Sequence, residues 1–234
     1  MKKTAIALGT FDGVHRGHQE IINAMLTAAK RGGLDPLIYT FSNHPAGLFG
    51  KSFSMIMTDG ERLAALERFA PVAAERLDRQ FAATEPEDFV RHMAEKYRMG
   101  VAIAGFNYTF GSRGAGNMDT LCRLGGKYGF EVYEIPALMY GGEPVSSTRI
   151  RACIERGDIA GANAMLGHEL ELSCKETSQN GHAVLKVADG LVLPAPGRYI
   201  TEAEGRRLVC GVLPGGSIEP EEPLRGIKKL RFIG

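Results

Sequence analysis

Two histidines three residues apart, His15 and His18, follow a predicted strand and begin a predicted helix. The apolar run Thr4–Leu8 precedes them, and residues 19–30 after them carry apolar side chains at helical spacing. Residues i and i+3 share one face of a helix, so we expect both imidazoles to point the same way. The free N–H groups and the dipole at a helix N-terminus attract anions. The pattern therefore predicts a phosphate-binding site.

Other interpretations of this turn are open. A His-x-x-His pair can bind a metal ion, but no nearby carboxylate or cysteine completes a ligand set. A dinucleotide-binding turn needs G-x-G-x-x-G spacing, which the sequence lacks. The two histidines could also be purely structural. Gly13 and Gly17 favour the phosphate site, because they remove side chains that would keep a nucleotide away.

The whole turn resembles the His-x-Gly-His signature of the nucleotidylyltransferase superfamily. It reads Gly9-Thr10-Phe11-Asp12-Gly13-Val14-His15-Arg16-Gly17-His18. The Phe-Asp-Gly-Val-His form resembles the FAD synthetase (FMN adenylyltransferase) module of bacterial bifunctional riboflavin kinase/FAD synthetases. That resemblance implies that His15 and His18 are catalytic. It also implies that the following residues contact ATP: Gly9, Thr10, Phe11, Asp12 and Gly17.

The loop over residues 105–117 resembles a second motif of the same family. It follows a predicted strand and carries an Asn, two aromatic residues that bracket one residue, Phe-Gly, and then Arg and Gly. The resemblance implies that Asn107 and Phe110 contact ATP and that Tyr108 contacts the flavin. Taken alone, the loop also fits a flexible connector. It lacks the Gly-Lys-Ser/Thr ending of a Walker phosphate loop.

A Ser-Ser-Thr-x-Ile-Arg pattern precedes another predicted helix and resembles a third motif of the superfamily. A serine or threonine in this place is often only a helix N-cap. The resemblance implies instead that Ser146, Ser147 and Thr148 hold the phosphates of ATP. It also implies that Arg151 is catalytic and neutralises charge, a task that suits arginine because its fork of donors matches phosphate oxygens.

The loop after residue 41 departs from the family pattern. Family members usually carry an acidic residue followed by Pro-His-Pro, whereas Ser42 and Asn43 occupy the first two positions here. His44 and Pro45 match the pattern, and the resemblance places both near the flavin. The departure therefore concerns flavin recognition more than nucleotide binding. The His44-Pro45 pair could also simply shape a turn.

The elements that must position these loops alternate short apolar runs with helical patterns. This alternation predicts an α/β fold with a doubly wound parallel sheet, and the resemblance makes it a Rossmann-like nucleotidylyltransferase. Ligands of such sheets bind at the carboxyl ends of the strands, near the switch point. The predicted elements are strands 4–8, 37–41, 101–104 and 130–135, helices 19–30, 147–156 and 158–166, and capping boxes at 58–61 and 84–87.

Beyond Gly167 helical periodicity fades. Short strands are predicted at 169–172, 182–187 and 207–213, with an Asn-Gly hairpin turn at 180–181. We predict a nucleotidylyltransferase domain over residues 1–167 and a small β-rich unit over 168–234. The stretch Leu193–Tyr199 is similar to part of the riboflavin kinase barrel, but no Gly-x-Pro-Thr-Ala-Asn stretch follows residue 167. The resemblance thus implies a degenerate, inactive kinase-like unit. The basic cluster Arg225–Arg231 is predicted to be a solvated chain end.

Composition limits the partners of the 234-residue chain. Hydrophobic residues make up 44%, charged residues make up 24% and the formal net charge is +1, as in a soluble globular protein without bulk attraction to nucleic acid. No apolar stretch reaches the length of a membrane span. Four scattered cysteines without a C-x-x-C pair, and no secretory leader, predict a cytoplasmic protein with free thiols. The oligomeric state is unknown from the sequence.

The resemblance implies adenylyl transfer from ATP to FMN, giving FAD and pyrophosphate. Mg²⁺ would arrive with ATP and be held mainly by phosphate oxygens and water, so no protein metal ligand is assigned. Two alternatives are open. One is nucleotidylyl transfer to another phosphorylated acceptor. The other is a flavin- or nucleotide-binding module that has lost catalysis.

Overall fold

The structure, a computed structural model, describes residues 2–44, 54–179, 182–222 and 226–234. Contacts divide the chain into two compact units. The first comprises Met1–Ser52 and Asp59–Met139, and the second comprises Phe53–Thr58 and Tyr140–Gly234. Two features predicted from the sequence, Pro45 and the hairpin turn at 180–181, lie outside the described residues.

A parallel sheet forms the centre of the first unit. Its strands are β1 (Thr4–Leu8), β2 (Asp35–Phe41), β3 (Val72–Glu75), β4 (Met99–Gly105) and β5 (Glu131–Ile135). Among the described residues their order is β3-β2-β1-β4-β5, with Ile6 of β1 opposite Leu37 and Ala102. The chain order changes direction at β1, which places the switch point between β1 and β4. The predicted doubly wound parallel sheet is confirmed.

The helices of the first unit are α1 (Arg16–Gly32), α2 (Asp59–Glu67), α3 (Arg79–Ala82), α4 (Pro86–Lys96) and α5 (Met118–Tyr128). The helix predicted over 19–30 begins three residues earlier, because His15 caps it. Strand β3 and helices α3 and α5 were not predicted. The cap of α5 is Asn117, whose side chain accepts a hydrogen bond from the Thr120 N–H.

The core of the first unit lies between one sheet face and helices α4 and α5. Ile6 and Leu8 of β1 meet Phe89 and Met93 of α4 there, together with Leu121 of α5. Helix α1 packs against β1 and β4. Strand β1 is buried along nearly its whole length, as expected of a central parallel strand. Such burial fixes the positions at which the strand ends and its loop begins.

The second unit contains a closed antiparallel barrel. A short hairpin, β6 (Met139–Tyr140) and β7 (Glu143–Pro144), and two helices, α6 (Ser147–Glu155) and α7 (Ile159–Leu166), precede the barrel. The barrel strands are β8 (Leu170–Gln179), β9 (His182–Val187), β10 (Gly197–Ala203), β11 (Arg206–Val212), β12 (Ser217–Pro220) and β13 (Lys229–Phe232). Their order among the described residues is β10-β11-β12-β9-β8-β13. The predicted β-rich unit is confirmed.

Strand β13 corrects one expectation. Residues 229–232 lie in the basic cluster predicted to be a solvated chain end, yet Leu230 and Phe232 are fully buried. The strand pairs with β8 on one side and β10 on the other, and so closes the barrel. Its charged residues face outward: Arg231 forms ion pairs with Glu171 and Glu202. Alternation of apolar and basic residues, rather than the basic run, is the correct signal.

Helix α7 is tied to the barrel through Asn163. Its side-chain amide donates to the Phe232 carbonyl at 3.0 Å and accepts from the Leu170 N–H at 2.8 Å. The predicted boundary near Gly167 marks where the barrel strands begin, and as a domain boundary it stays a prediction. Among the described helices, none is long and apolar enough to cross a membrane.

Candidate functional site

The turn after β1 is buried and strained. Phe11 has a φ of 56° and Val14 a φ of 41°, although neither is glycine, and a positive φ is unfavourable for a β-branched residue. Gly13 between them has a φ of 77°. Two hydrogen bonds hold the turn: the Val14 N–H donates to the Phe11 carbonyl, and the Gln19 amide donates to the Val14 carbonyl. Strain maintained in this way is typical of functional sites.

His15 and His18 meet at the N-terminus of α1. The His18 N–H donates to the His15 carbonyl at 2.7 Å and to His15 Nδ1 at 3.3 Å, so His15 is the N-cap of the helix. The two rings stack, with centroids 3.5 Å apart and planes 18° from parallel. The side-by-side orientation expected from the spacing is therefore present. In neutral His15, Nδ1 accepts, so the ring proton lies on Nε2.

His18 is held in its neutral form. Burial, followed by the positive charges that His15 and Arg62 can contribute, lowers the pKa of His18 well below its ordinary value. Its Nδ1 is buried and has no hydrogen-bond partner among the described residues. An unsatisfied buried nitrogen costs about 1–3 kcal/mol. A bound substrate that offers a polar group would relieve this cost.

Arg62 of α2 is a site residue that the sequence analysis missed. It is 1% exposed, and its side chain donates four hydrogen bonds of 2.8–3.1 Å. Nη1 donates to the Thr10 carbonyl at 3.1 Å and to Thr40 Oγ1 at 3.0 Å. Nη2 donates to the Phe41 carbonyl and to Asp59, both at 2.8 Å. Arg62 precedes Leu66 by one helical turn and shares its buried face, a signal available in the sequence.

The loop after β2 is fixed through Asn43. Its side-chain amide donates to the Leu77 carbonyl at 2.9 Å and accepts from the Leu77 N–H at 2.9 Å. Asn43, where the sequence departs from the Pro-His-Pro pattern, thus makes a paired contact with the chain after β3. The neighbouring His44 is half-buried. Both flavin-side assignments, His44 and Pro45, stay predictions.

A cluster of donors surrounds Glu75 at the end of β3. Tyr39, His92, Lys96 and Tyr97 all bond its carboxylate. Burial by itself favours the neutral acid, but these hydrogen bonds outweigh it and lower the pKa of Glu75 to about 2. The carboxylate therefore stays ionised, and it anchors α4 to the sheet beside the loop after β2.

The loop after β4 separates an exposed residue from a buried one. Asn107 is exposed, whereas Phe110 is 6% exposed and belongs to the core beside Phe89. Tyr108 is half-buried, and its ring stacks on Phe110 with centroids 5.6 Å apart. A Cβ at Gly116 would lie 2.6 Å from the Phe110 ring, so this position requires glycine. The described role of Phe110 is to shape the loop, and its contact with ATP stays a prediction.

The Ser-Ser-Thr motif caps α6 in the second unit. Ser146 Oγ accepts from the Arg149 N–H at 3.2 Å, which makes Ser146 the N-cap. Arg149 is tied to the β6–β7 hairpin through the carbonyls of Tyr140 and Glu143. Arg151 Nη2 instead donates to Thr148 Oγ1 at 3.3 Å, on the exposed side of the first turn. The two arginines of one motif therefore have different neighbours.

The predicted site residues fall into two groups. The loops after β1, β2 and β4 carry those of the first unit, among them Gly9, which directly follows β1, and half-buried Gly17. The second unit holds Ser146, half-buried Ser147, exposed Thr148 and Arg151. In the described part of the chain, no three His, Cys, Asp or Glu side chains cluster as a metal-binding group. The chemistry offered is that of hydrogen-bond donors and cationic groups.

Comparison with known proteins shows the family of the chain. The family model of FAD synthetase matches residues 1–149. A bifunctional riboflavin kinase/FMN adenylyltransferase of Bacillus subtilis is 31% identical over 171 residues, which are 70% of this chain and 54% of the relative. The Escherichia coli K12 protein of the same name is 28% identical over 173 residues, 72% and 55% of the two chains. The matches span about half the length of these relatives.

Two further proteins match over more of their length. A protein of Listeria monocytogenes named FAD synthetase is 29% identical over 207 residues, which cover 86% of this chain and 82% of the relative. A crystal structure of a macrolide-efflux protein from Streptococcus pneumoniae covers 99% of this chain with a TM-score of 0.82. It is 24% identical, and this chain covers 86% of it. That likeness shows a shared fold.

Proposed function

Because the chain belongs to the FAD synthetase family, we propose that it transfers the AMP part of ATP to FMN, giving FAD and pyrophosphate. The observation that carries the proposal is the stacked pair His15–His18 at the N-terminus of α1. This pair follows β1 at the switch point of the sheet, where α/β folds bind their ligands.

In the proposed reaction a phosphate oxygen of FMN attacks the α-phosphorus of Mg·ATP in line. A new P–O bond forms while the bond from the α-phosphorus to the bridging oxygen breaks, and pyrophosphate leaves with that electron pair. Such a step needs alignment and donors aimed at growing negative charge more than covalent help. Neutral His18 can donate one ring N–H, and the helix N-terminus adds backbone donors.

Arg151 serves this reaction as a phosphate-neutralising group. Its side chain stays on the exposed side of the α6 N-terminus, bonded to Thr148. We assign Ser147 and Thr148 to the phosphates and Asn107, exposed after β4, to the nucleotide. His44, Pro45 and Tyr108 are assigned to the flavin. These assignments come from the family resemblance and from the exposure of the described side chains.

The comparisons favour a single activity for the chain, with no kinase activity in the second unit. The Listeria relative named FAD synthetase matches over both parts of the chain, and its name mentions no kinase. We therefore propose that residues 168–234 form a degenerate kinase-like barrel that does not phosphorylate riboflavin. A cytoplasmic location is also part of the proposal, and it rests on the four free thiols and on the proposed substrates.

The test is turnover of the purified chain with Mg·ATP and three acceptors: FMN, riboflavin and phosphopantetheine. Products are identified by mass, and pyrophosphate release is measured in parallel. We expect FAD from FMN and no phosphorylation of riboflavin. Preference for phosphopantetheine would assign a different acceptor. Binding of FMN and ATP without pyrophosphate release would identify a binding module instead.

A further inference from the structure

The proposed chemistry makes no use of Arg62, although among the described residues of the first unit it is the largest buried charged side chain. Burying an arginine is costly unless its donors are all matched. An apolar side chain of similar volume would fill the same space at lower cost. The four hydrogen bonds of Arg62 therefore call for an explanation beyond packing.

A second arginine in the first unit shows that an Asp–Arg pair three residues apart on a helix can form without being buried. Arg91 of α4 pairs with Asp88 at the spacing by which Arg62 pairs with Asp59, three residues apart. The Arg91 and Asp88 side chains are both 51% exposed, whereas the Arg62 side chain is 2% exposed. The difference lies in the other partners of Arg62, which are not on its own helix.

Those partners come from the two loops that carry the proposed substrate sites. The Thr10 carbonyl immediately precedes the strained residue Phe11, and Arg62 Nη1 and Thr40 Oγ1 both donate to that oxygen, at 3.1 and 3.3 Å. The Phe41 carbonyl, bonded at 2.8 Å, ends β2 just before the flavin-side loop. One planar guanidinium thus joins the end of the nucleotide loop to the end of the acceptor loop.

We propose that Arg62 is a positioning residue of the transfer site, which clamps the loop after β1 to the loop after β2 and so fixes the nucleotide relative to the acceptor. The proposal rests on the proposed function. In-line transfer depends on the placement of attacker and phosphorus, and a misplacement of about 1 Å can cost on the order of 100-fold in rate. Lysine cannot replace the clamp, since a single ammonium lacks the rigid fork that reaches both loops.

The electrostatics of His18 support the clamp. The groups that lower the pKa of His18, besides burial, are His15 from its own turn and Arg62 from α2. Asp59 offsets part of the Arg62 charge, since the two form an ion pair at 2.8 Å. Burial is the main reason that the His18 ring stays neutral, and a guanidinium held at this place adds to that effect while it fixes the loops.

The experiment compares Arg62→Lys, Arg62→Met and Thr40→Val with the matched control Arg91→Met in the full chain. Steady-state kinetics with Mg·ATP and FMN give kcat and KM, thermal unfolding reports the fold, and NMR of labelled histidine follows the His18 ring. The His18 signal is assigned by its loss in His18→Gln. Arg62→Lys should keep a neutral His18 but lose about 10–100-fold in kcat/KM. Arg62→Met should also raise the pKa of His18.

The outcomes separate the clamp from the proposed function. Folded Arg62→Lys with wild-type kcat/KM, or folded Arg62→Met with an unchanged His18 titration, overturns the proposal. If neither Arg62 variant folds, Thr40→Val decides: a fall in kcat/KM without a fall in melting temperature supports the clamp, and unchanged kinetics overturns it. If the wild-type chain forms no FAD, the proposed function fails, whereas the His18 titration still tests the Arg62 contact.

Discussion

The two units bury different kinds of side chain. In the first, the buried polar or charged residues among those described are Asp12, His15, Thr40 and Arg62, all near the carboxyl ends of the strands. In the second unit, the buried polar residue among those described is Thr201. Its hydroxyl bonds the Leu208 carbonyl and Cys210 Sγ. Buried polar groups cost free energy unless they are paired. Their concentration at the carboxyl ends of the strands supports the proposed transfer site there.

Backbone strain differs between the units in the same way. Glu204 of the second unit has a φ of 48°, but it lies with Gly205 in the two-residue turn of the β10–β11 hairpin, where positive φ is normal. Phe11 and Val14 have positive φ in a buried turn that makes no hairpin. Positive φ alone is thus a weak signal. Among the described residues, positive φ combined with burial and a histidine cap occurs in the first unit.

The strongest test of this contrast replaces one histidine in each unit. His18→Ala should lower kcat by two or more orders of magnitude, because loss of a preorganised donor costs about 3–4 kcal/mol of the barrier. His168→Ala, in the second unit, should leave kcat unchanged. Both variants should keep the wild-type circular dichroism spectrum. A near-normal kcat in His18→Ala would remove this residue from the mechanism.

A core truncation in the barrel should affect stability and leave the chemistry intact. Leu230 is fully buried in β13, and we expect Leu230→Ala to lower the free energy of unfolding of the second unit by about 2–5 kcal/mol. Ile200→Ala on β10 is the control, since Ile200 is 56% exposed. Denaturant unfolding measures both. Loss of kcat in folded Leu230→Ala, at unchanged KM for ATP, would contradict the division of roles.

The Glu75 cluster should stabilise the first unit in a pH-dependent manner. The pKa of Glu75 is lowered from 4.5 to about 2, so its stabilising effect is complete above about pH 4.5 and is lost as the pH falls through about 2. Glu75→Gln should lower the free energy of unfolding by about 1–3 kcal/mol at neutral pH, and it should flatten the acid dependence between these pH values. Exposed Glu131, changed to Gln, serves as the control. An unchanged acid dependence in Glu75→Gln would show that the cluster contributes nothing.

The smallest expected effect distinguishes the two arginines of the α6 motif. Arg151→Lys should lower kcat/KM for ATP about tenfold, since a point charge replaces a bidentate fork. Arg149→Lys should instead lower the melting temperature, because Arg149 bonds the hairpin carbonyls of Tyr140 and Glu143. Kinetics and thermal unfolding of both variants give the comparison. The assignment of Arg151 to phosphate fails if the two effects are reversed.

Local sequence patterns were sufficient for the main elements of the fold. Apolar runs marked β1, β2, β4 and β5, and helical spacing marked α1, α6 and α7, because burial imposes a period on the sequence. Strand β3 was not predicted, since Val72–Glu75 has only four residues and no clear alternation of apolar and polar side chains. Three barrel strands, β10, β12 and β13, were also not predicted. Pairing across the sheet, which a local pattern does not contain, stabilises such short strands.

The sequence by itself determined the histidine pair, its helix and its place after a parallel strand, since these follow from spacing and from the order of elements. Only the tertiary structure decided that Phe110 lies in the core, that Asn43 pairs with Leu77 and that Arg62 joins two loops. The physical reason is the separation in sequence between the residues that interact. A helical face or a cap involves residues three or four apart, whereas Arg62 lies 52 residues from Thr10. Contacts of that kind depend on how the strands are ordered in the sheet, and the folded chain alone fixes that order.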